Sequence, residues 1–306
     1  VTPNGDADRA RLARATVLIV ASAACFSTIA IFVTLATRAG APLLTVLSGR
    51  FLFGTLAIAP IVGLKTLGGT PAHSRNALVL RAGALQAALV FCSGASLRWL
   101  PAATLVFLFY TYPAWVTIIV ALHRGERISP RRGLALVLSL IGVAIMVGAP
   151  GRLVVHPAGA ALALASAFIF AVYLVYTDRL QASTSTGETS FWIAVGAGVT
   201  FFVAAALTRR LTIDVAPSVW LYMAALGVLS TAVGYGLFFK GLRILGPVRT
   251  SIISTAEPVW AALLGWLVLS QPVTIGTAVG GACIAVAVVL LQWGGTTVVT
   301  AKPQVT

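Results

Sequence analysis

The sequence predicts an all-α integral-membrane protein of ten transmembrane helices, built as two inverted repeats of five. Three observations carry this prediction. Of 306 residues, 59% are hydrophobic and only 9% charged, with a mean hydropathy of +0.99; water-soluble domains of this length do not combine such values. The apolar residues fall into ten runs, most of them near the ~20 residues that cross a ~30 Å hydrocarbon core at about 1.5 Å per residue. Short motifs recur at an offset of 145 residues. With five spans in each half, an odd number, the halves must be inverted relative to each other.

In chain order, an N-terminal arm at 1–14 precedes spans at 15–37, 42–63, 77–98, 101–122 and 132–149, the first repeat (15–149). The second repeat, 157–293, holds spans at 157–177, 189–208, 218–240, 246–269 and 272–293, followed by a tail at 294–306. Pro or Gly punctuates the short connections, as at Pro42, Pro71, Pro101, Pro130, Pro150-Gly151, Pro217 and Pro272. The arm and the tail read as frayed ends. An even number of spans puts both termini on one side. With the N-terminus inside, twelve of the 21 Lys and Arg residues fall in inner segments and five in outer loops, which predicts that both termini are cytoplasmic.

The repeat is carried by three matches. Leu97-Arg98-Trp99-Leu100 aligns with Leu242-Arg243-Ile244-Leu245, and Tyr112-Pro113-Ala114-Trp115 with Glu257-Pro258-Val259-Trp260. Ser22-Ala23 with Phe26 resembles Ser166-Ala167 with Phe170, one residue out of register. Inverted repeats are a device of secondary transporters, whose halves rock about a site near the midplane. Pro113 and Pro258 each remove a backbone N–H in mid-span and are expected to kink paired helices.

Composition narrows the function. The +14 net charge sits mainly at the ends of apolar runs, so topology explains it and no nucleic-acid partner is expected. Cys25, Cys92 and Cys283 lack metal or disulfide spacing, and His73, His123 and His156 lie in loops; no metal and no cofactor is expected. A membrane transferase needs clustered aspartates or a His/Asp pair, whereas Asp6, Asp8, Asp178 and Asp214 are scattered at ends and loops. There is no GxxxxGK[ST] for ATP and no filter-like motif for a channel. The partners expected are a small-molecule substrate and the lipid bilayer, with the chain a monomer or a weak homodimer. Gly276 and Gly280 form a GxxxG that serves either internal packing or a dimer face.

Several motifs together resemble one family. They are Gly49-Arg50-Phe51 in the second span, GERIS from Gly125 to Ser129, and AEPVWAALLGWLVLSQPVT from Ala256 to Thr274. With ten spans, this pattern is similar to the EamA branch of the drug/metabolite transporter superfamily, and among its members to the YddG-type amino-acid exporters. The resemblance covers nearly the whole chain. It implies a ten-helix inverted-repeat fold and export of small metabolites, often amino acids, across a bacterial inner membrane. Two positions depart from the pattern: Gln271 replaces a usual Glu, and Phe26 stands where a Trp is often found.

Of the seven acidic residues, only Glu257 falls in the middle of an apolar run. A carboxylate there is costly unless paired, hydrated or protonated, which marks either a cavity residue or a structural Glu bonded between helices. Arg50, about nine residues inside the second span, reads as a structural cation that ties helices together or as a group for a substrate carboxylate. Lys240 either snorkels to the cytoplasmic face or turns inward. Arg243 and Arg249 read as headgroup anchors. Phe26, Gln86, Phe91, Tyr110, Tyr112, Trp115, Tyr173, Tyr235, Ser254, Thr255 and Trp260 cluster near mid-span, a mixture suited to an amphipathic solute. One inward cation, one carboxylate and aromatic walls fit a zwitterionic amino acid, neutral or aromatic, better than a dianionic sugar phosphate; a cationic drug is the alternative.

Overall fold

In hydrocarbon a chain can satisfy its backbone N–H and C=O groups only within itself, so apolar runs become helices. The computed structural model describes residues 3–100, 102–124, 129–147, 156–270 and 274–293, and among them every regular element is helical. The Gly125–Ile128 part of the GERIS motif, Gln271 and the tail at 294–306 lie outside the described residues.

The first half comprises α1 (Pro3–Arg38), α2 (Leu43–Val62), two short helices α3 (Leu64–Gly69) and α4 (Ala72–Asn76), a π-helical turn (Ala77–Ala82), α5 (Gly83–Ser96), α6 (Ala102–Phe109), α7 (Tyr112–Arg124) and α8 (Pro130–Val147). The second comprises α9 (Pro157–Leu180), α10 (Thr186–Leu207), α11 (Pro217–Leu226), a second π-helical turn (Gly227–Val233), α12 (Gly234–Ile253), a 3-10 turn (Ser254–Ala256), α13 (Glu257–Leu269) and α14 (Ile275–Trp293). Among the described residues, seven continuous helical stretches are long and apolar enough to cross a membrane. One of them, Pro217–Val268, has 52 residues. At about 1.5 Å per residue it would exceed twice the hydrocarbon thickness, and it folds back at Gly246, whose φ of 72° lies in the left-handed region.

Two expectations change here. The arm at 1–14 is not frayed from Pro3 onward: α1 begins there and runs unbroken into the first span. The third span begins before residue 77, because α4, the π-turn and α5 join end to end.

The packing has a crosswise pattern. The second long helix of each half lies on the π-turn of the other half: α2 packs on Gly227–Val233, and α10 on Ala77–Ala82. Glycines permit both approaches. A Cβ at Gly54 would come within 2.6 Å of the Thr231 side chain and 3.1 Å of the Gly227 carbonyl, and one at Gly196 would strike the Val79 backbone. Likewise α1 packs on α12 and α13, while α9 packs on α5, α6 and α7. The two final helices, α8 and α14, pack on each other. Gly280 of the GxxxG faces the Gly142 backbone and Gly276 the Ile145 carbonyl, so the motif serves internal packing.

Polar contacts clasp the ends of α2 and α10 in the same crosswise manner. The Thr45 hydroxyl of α2 donates to the Arg210 carbonyl at 2.6 Å and accepts from the Thr212 N–H at 3.3 Å, beyond the end of α10. In turn the Thr70 hydroxyl, beyond the end of α2, donates to Glu188 Oε1 of α10 at 2.7 Å. Glu188 also closes a capping box with Ser185, and the Trp192 indole N–H donates to Thr70 at 3.1 Å. Arg243, expected at lipid headgroups, instead donates from Nη2 to the Gln181 and Thr184 carbonyls, tying α12 to the α9–α10 connection.

Candidate functional site

The site is built from two broken helices. Pro113 has no N–H for the Phe109 carbonyl, and α6 ends at Phe109, with α7 restarting at Tyr112. Pro258 likewise offers nothing to the Ser254 carbonyl; the chain makes the 3-10 turn Ser254–Ala256 and restarts as α13 at Glu257. Each proline sits second in its new helix, where a missing N–H is harmless. The residue before each one, Tyr112 or Glu257, therefore stands at a helix break in the protein interior.

Those breaks converge. Tyr110 lies beside the Glu257 carboxylate. Tyr110 and Tyr112 rings lie 5.9 Å apart, and Tyr112 meets Phe170 of α9 edge-on at 4.7 Å. Phe170 stacks with Tyr173 at 5.9 Å. On the other side, Tyr235 of α12 contacts Phe26 of α1 at 6.0 Å and Phe51 of α2 at 6.5 Å. The Tyr112 hydroxyl donates to the Ser251 carbonyl at 3.3 Å, beside the Ser254 hydroxyl.

Arg50 faces this aromatic group. Its Nε donates to the Thr231 hydroxyl in the second π-turn at 3.1 Å, and its guanidinium lies 4.9 Å from the Phe51 ring centroid. Tyr173, Tyr235 and Glu257 are its electrostatic neighbours. The residue is only 7% exposed, yet Nη1 and Nη2 are bonded to no described residue and are not sealed from solvent. So Arg50 does tie α2 to another helix, but through a hydroxyl and by one nitrogen, leaving the outer nitrogens of the fork open to the interior. Glu257 keeps accessible surface too, and the two charges form no ion pair with each other.

Of the residues singled out from sequence, the structure thus gathers Phe26, Tyr110, Tyr112, Tyr173, Tyr235, Ser254 and Glu257 around Arg50. It leaves others elsewhere. Phe91 is 72% exposed, on the outer surface of α5. Lys240 is exposed, consistent with snorkelling and not with an inward cation. Thr255 is fully buried and its hydroxyl donates to the Ile252 carbonyl, so it offers nothing to a solute. Trp115 meets exposed Phe168, which lies about 200° around α9 from Phe170 at 100° per residue, hence away from the tyrosines. Gln86 is half-buried, and Trp260 is half-buried and packs against the main buried cluster. Sequence reasoning missed Phe51, Phe170 and Thr231. Phe170 carried a signal, since it is the repeat partner of Phe26; Thr231 carried none, because its place depends on the π-turn. Among the described residues no group of His, Cys, Asp and Glu could hold a metal ion.

Comparison with known proteins agrees with this architecture. The EamA-like transporter family matches the chain twice, at 13–148 and 157–293. An uncharacterized transporter of Archaeoglobus fulgidus is 28% identical over 275 residues, 90% of this chain and 94% of its own length. An uncharacterized inner membrane transporter of Salmonella typhimurium, YicL, is 31% identical over 195 residues, 62% of this chain and 64% of that one. A protein of known crystal structure superposes with a TM-score of 0.73 at 22% identity, covering 90% of this chain and 95% of the other, a likeness of fold. Two tandem matches that between them take in both π-turns, both broken helices and the charged pair between them establish that this chain is a multi-pass membrane protein belonging to the EamA-like transporter family.

Proposed function

We propose that the protein exports small zwitterionic metabolites, neutral or aromatic amino acids foremost, by alternating access between two inverted five-helix halves. The membrane is a bacterial inner membrane and both termini are cytoplasmic. One observation carries the reading: Arg50 and Glu257 are opposite charges open to one aromatic-walled interior, yet not paired with each other. A zwitterion supplies the missing partners, its carboxylate to the Arg50 Nη nitrogens and its ammonium to Glu257. Tyr112, Tyr173 and Tyr235 offer ring faces to its side chain. The crosswise packing of α2 and α10 on opposite π-turns supports the inverted-repeat scheme.

A multidrug or cation exporter of the same fold would need Glu257 and the rings but not the open nitrogens of Arg50. Proteoliposome uptake separates the two with three probes: L-phenylalanine, phenethylamine and 3-phenylpropionate. The expected result is transport of phenylalanine and at least tenfold slower transport of the two compounds that keep one charge each. Phenethylamine carried as well as phenylalanine would replace the amino-acid reading with the cation reading.

A further inference from the structure

The first half of the ninth span carries four buried hydroxyls. Two are satisfied by their own helix: Ser251 donates to the Val248 carbonyl at 2.8 Å, and Thr255 to the Ile252 carbonyl at 2.6 Å. The other two, Thr250 (0% exposed) and Ser254 (8% exposed), have no hydrogen-bond partner; the Tyr112 hydroxyl beside Ser254 is directed at the Ser251 carbonyl instead. The orphaned pair is spaced i, i+4, so both lie on one face about 5–6 Å apart, a gap that one water hydrogen-bonded to each can bridge. Orphaned buried hydroxyls of this kind ordinarily mark a water position.

The line continues at both ends. Ser254–Ala256 is a 3-10 turn, in which residues i and i+3 eclipse, so Ser254 lies in line with Glu257. The Ser254 carbonyl accepts from the Glu257 backbone N–H, which fixes the carboxylate-bearing residue directly after the turn. Toward the membrane face, Thr250 is about one turn from Gly246, and a Cβ built at Gly246 would meet nothing within 4 Å. Gly246, Thr250, Ser254 and Glu257 thus form a file from an open end to the central carboxylate.

The other half lacks this file. At the repeat offset of 145, the counterparts of Thr250, Ser254 and Glu257 are Leu105, Phe109 and Tyr112. Phe109 packs among aromatic rings, 5.4 Å from Tyr112 and 5.5 Å from Phe170. The groups facing Glu257 are Arg50 of α2, Tyr110 and Tyr112; α1 and α14, also packed there, bring no carboxylate, imidazole or cation to their middle stretches, only the thiols of Cys25 and Cys283.

We propose that Thr250 and Ser254 line a narrow hydrated path along which Glu257 exchanges protons with the membrane face at Gly246, and not with the opposite face. A proton arriving along the path neutralises the carboxylate; it leaves by the path or, once the cavity opens to the other side, through the cavity. The inference deepens the function proposed above and rests on it only in taking Glu257 as a working group.

Two measurements test it on the full chain without any transported solute, so a failed phenylalanine assay and a failed path are separate results. In the first, Cys25, Cys92 and Cys283 are replaced by Ala, and Thr250→Cys, Ser254→Cys, Leu105→Cys and Phe109→Cys are made singly. Each well-folded variant is exposed to Ag⁺ from one face or the other, in right-side-out and inverted vesicles. Thr250→Cys and Ser254→Cys should react at least tenfold faster from the Gly246 face than from the opposite face, and tenfold faster than Leu105→Cys or Phe109→Cys. Equal rates from both faces, or no reaction at Thr250→Cys, would overturn the path. In the second, the infrared carboxyl band that Glu257→Gln removes is followed after transfer to D₂O. Thr250→Val should slow its deuteration at least tenfold and Thr250→Ser should restore it. An unchanged rate in Thr250→Val, or the lack of any such band between about pH 4 and 9, would overturn proton carriage.

Discussion

At the scale of single residues, Arg50 and Tyr110 are the most informative. Arg50 works as a fork: Nε holds Thr231 while Nη1 and Nη2 remain available. Lysine has one ammonium on a flexible stem and cannot divide its bonding in this way. Arg50→Lys is therefore expected to fold and to lose at least tenfold in transport, with the loss in apparent affinity, as measured by uptake against concentration. Tyr110→Phe keeps the ring and removes the hydroxyl beside Glu257. Taking a polar neighbour away from a carboxylate in a low-dielectric interior is unfavourable, so thermal unfolding in detergent should show a lower midpoint, and transport should fall less than in Glu257→Gln. Glu257 was legible in the sequence because a carboxylate in an apolar run is conspicuous. The open nitrogens of Arg50 were not legible, since its bonding depends on a helix 181 positions away.

At the scale of elements, the broken helices and the π-turns are the parts that can change shape. A break already lacking a backbone hydrogen bond can bend without losing another. Pro113→Ala and Pro258→Ala should rebuild continuous helix, stiffening both breaks. Both variants are expected to slow transport more than they lower the yield of folded protein, measured by uptake against monodisperse protein recovered. Normal transport in both would remove any role for the breaks. The π-turns are held by close glycine contacts. Gly54→Ala and Gly196→Ala each push a methyl into the facing π-turn, and overpacking of this kind costs about 1–3 kcal/mol. Both should lower the midpoint of thermal unfolding to a similar extent, because the two sites occupy equivalent places in the crosswise packing. The prolines announced the breaks in the sequence. Nothing announced the π-turns, which depend on what packs against them.

At the scale of the whole molecule, topology and the two clasps are coupled. If the halves are inverted, the Thr45 clasp and the Thr70–Glu188 clasp lie at opposite faces of the membrane. Reporter fusions at exposed Ala182, in the α9–α10 connection, and at the C-terminus should both report the cytoplasm. A periplasmic signal from either would overturn the inverted arrangement.

The sequence by itself determined the membrane class, the tandem repeat, the two prolines and the lone carboxylate. All of these follow from local hydropathy, spacing and backbone chemistry, which do not depend on distant parts of the chain. The tertiary structure alone decided which aromatic residues share an interior. It turned Phe91 outward, sealed Thr255, exposed Lys240, and brought Phe51, Phe170 and Thr231 to the site. Lipid and protein interior are both apolar, so hydropathy cannot tell a ring that faces one from a ring that faces the other; only the packing of one helix against another makes that distinction.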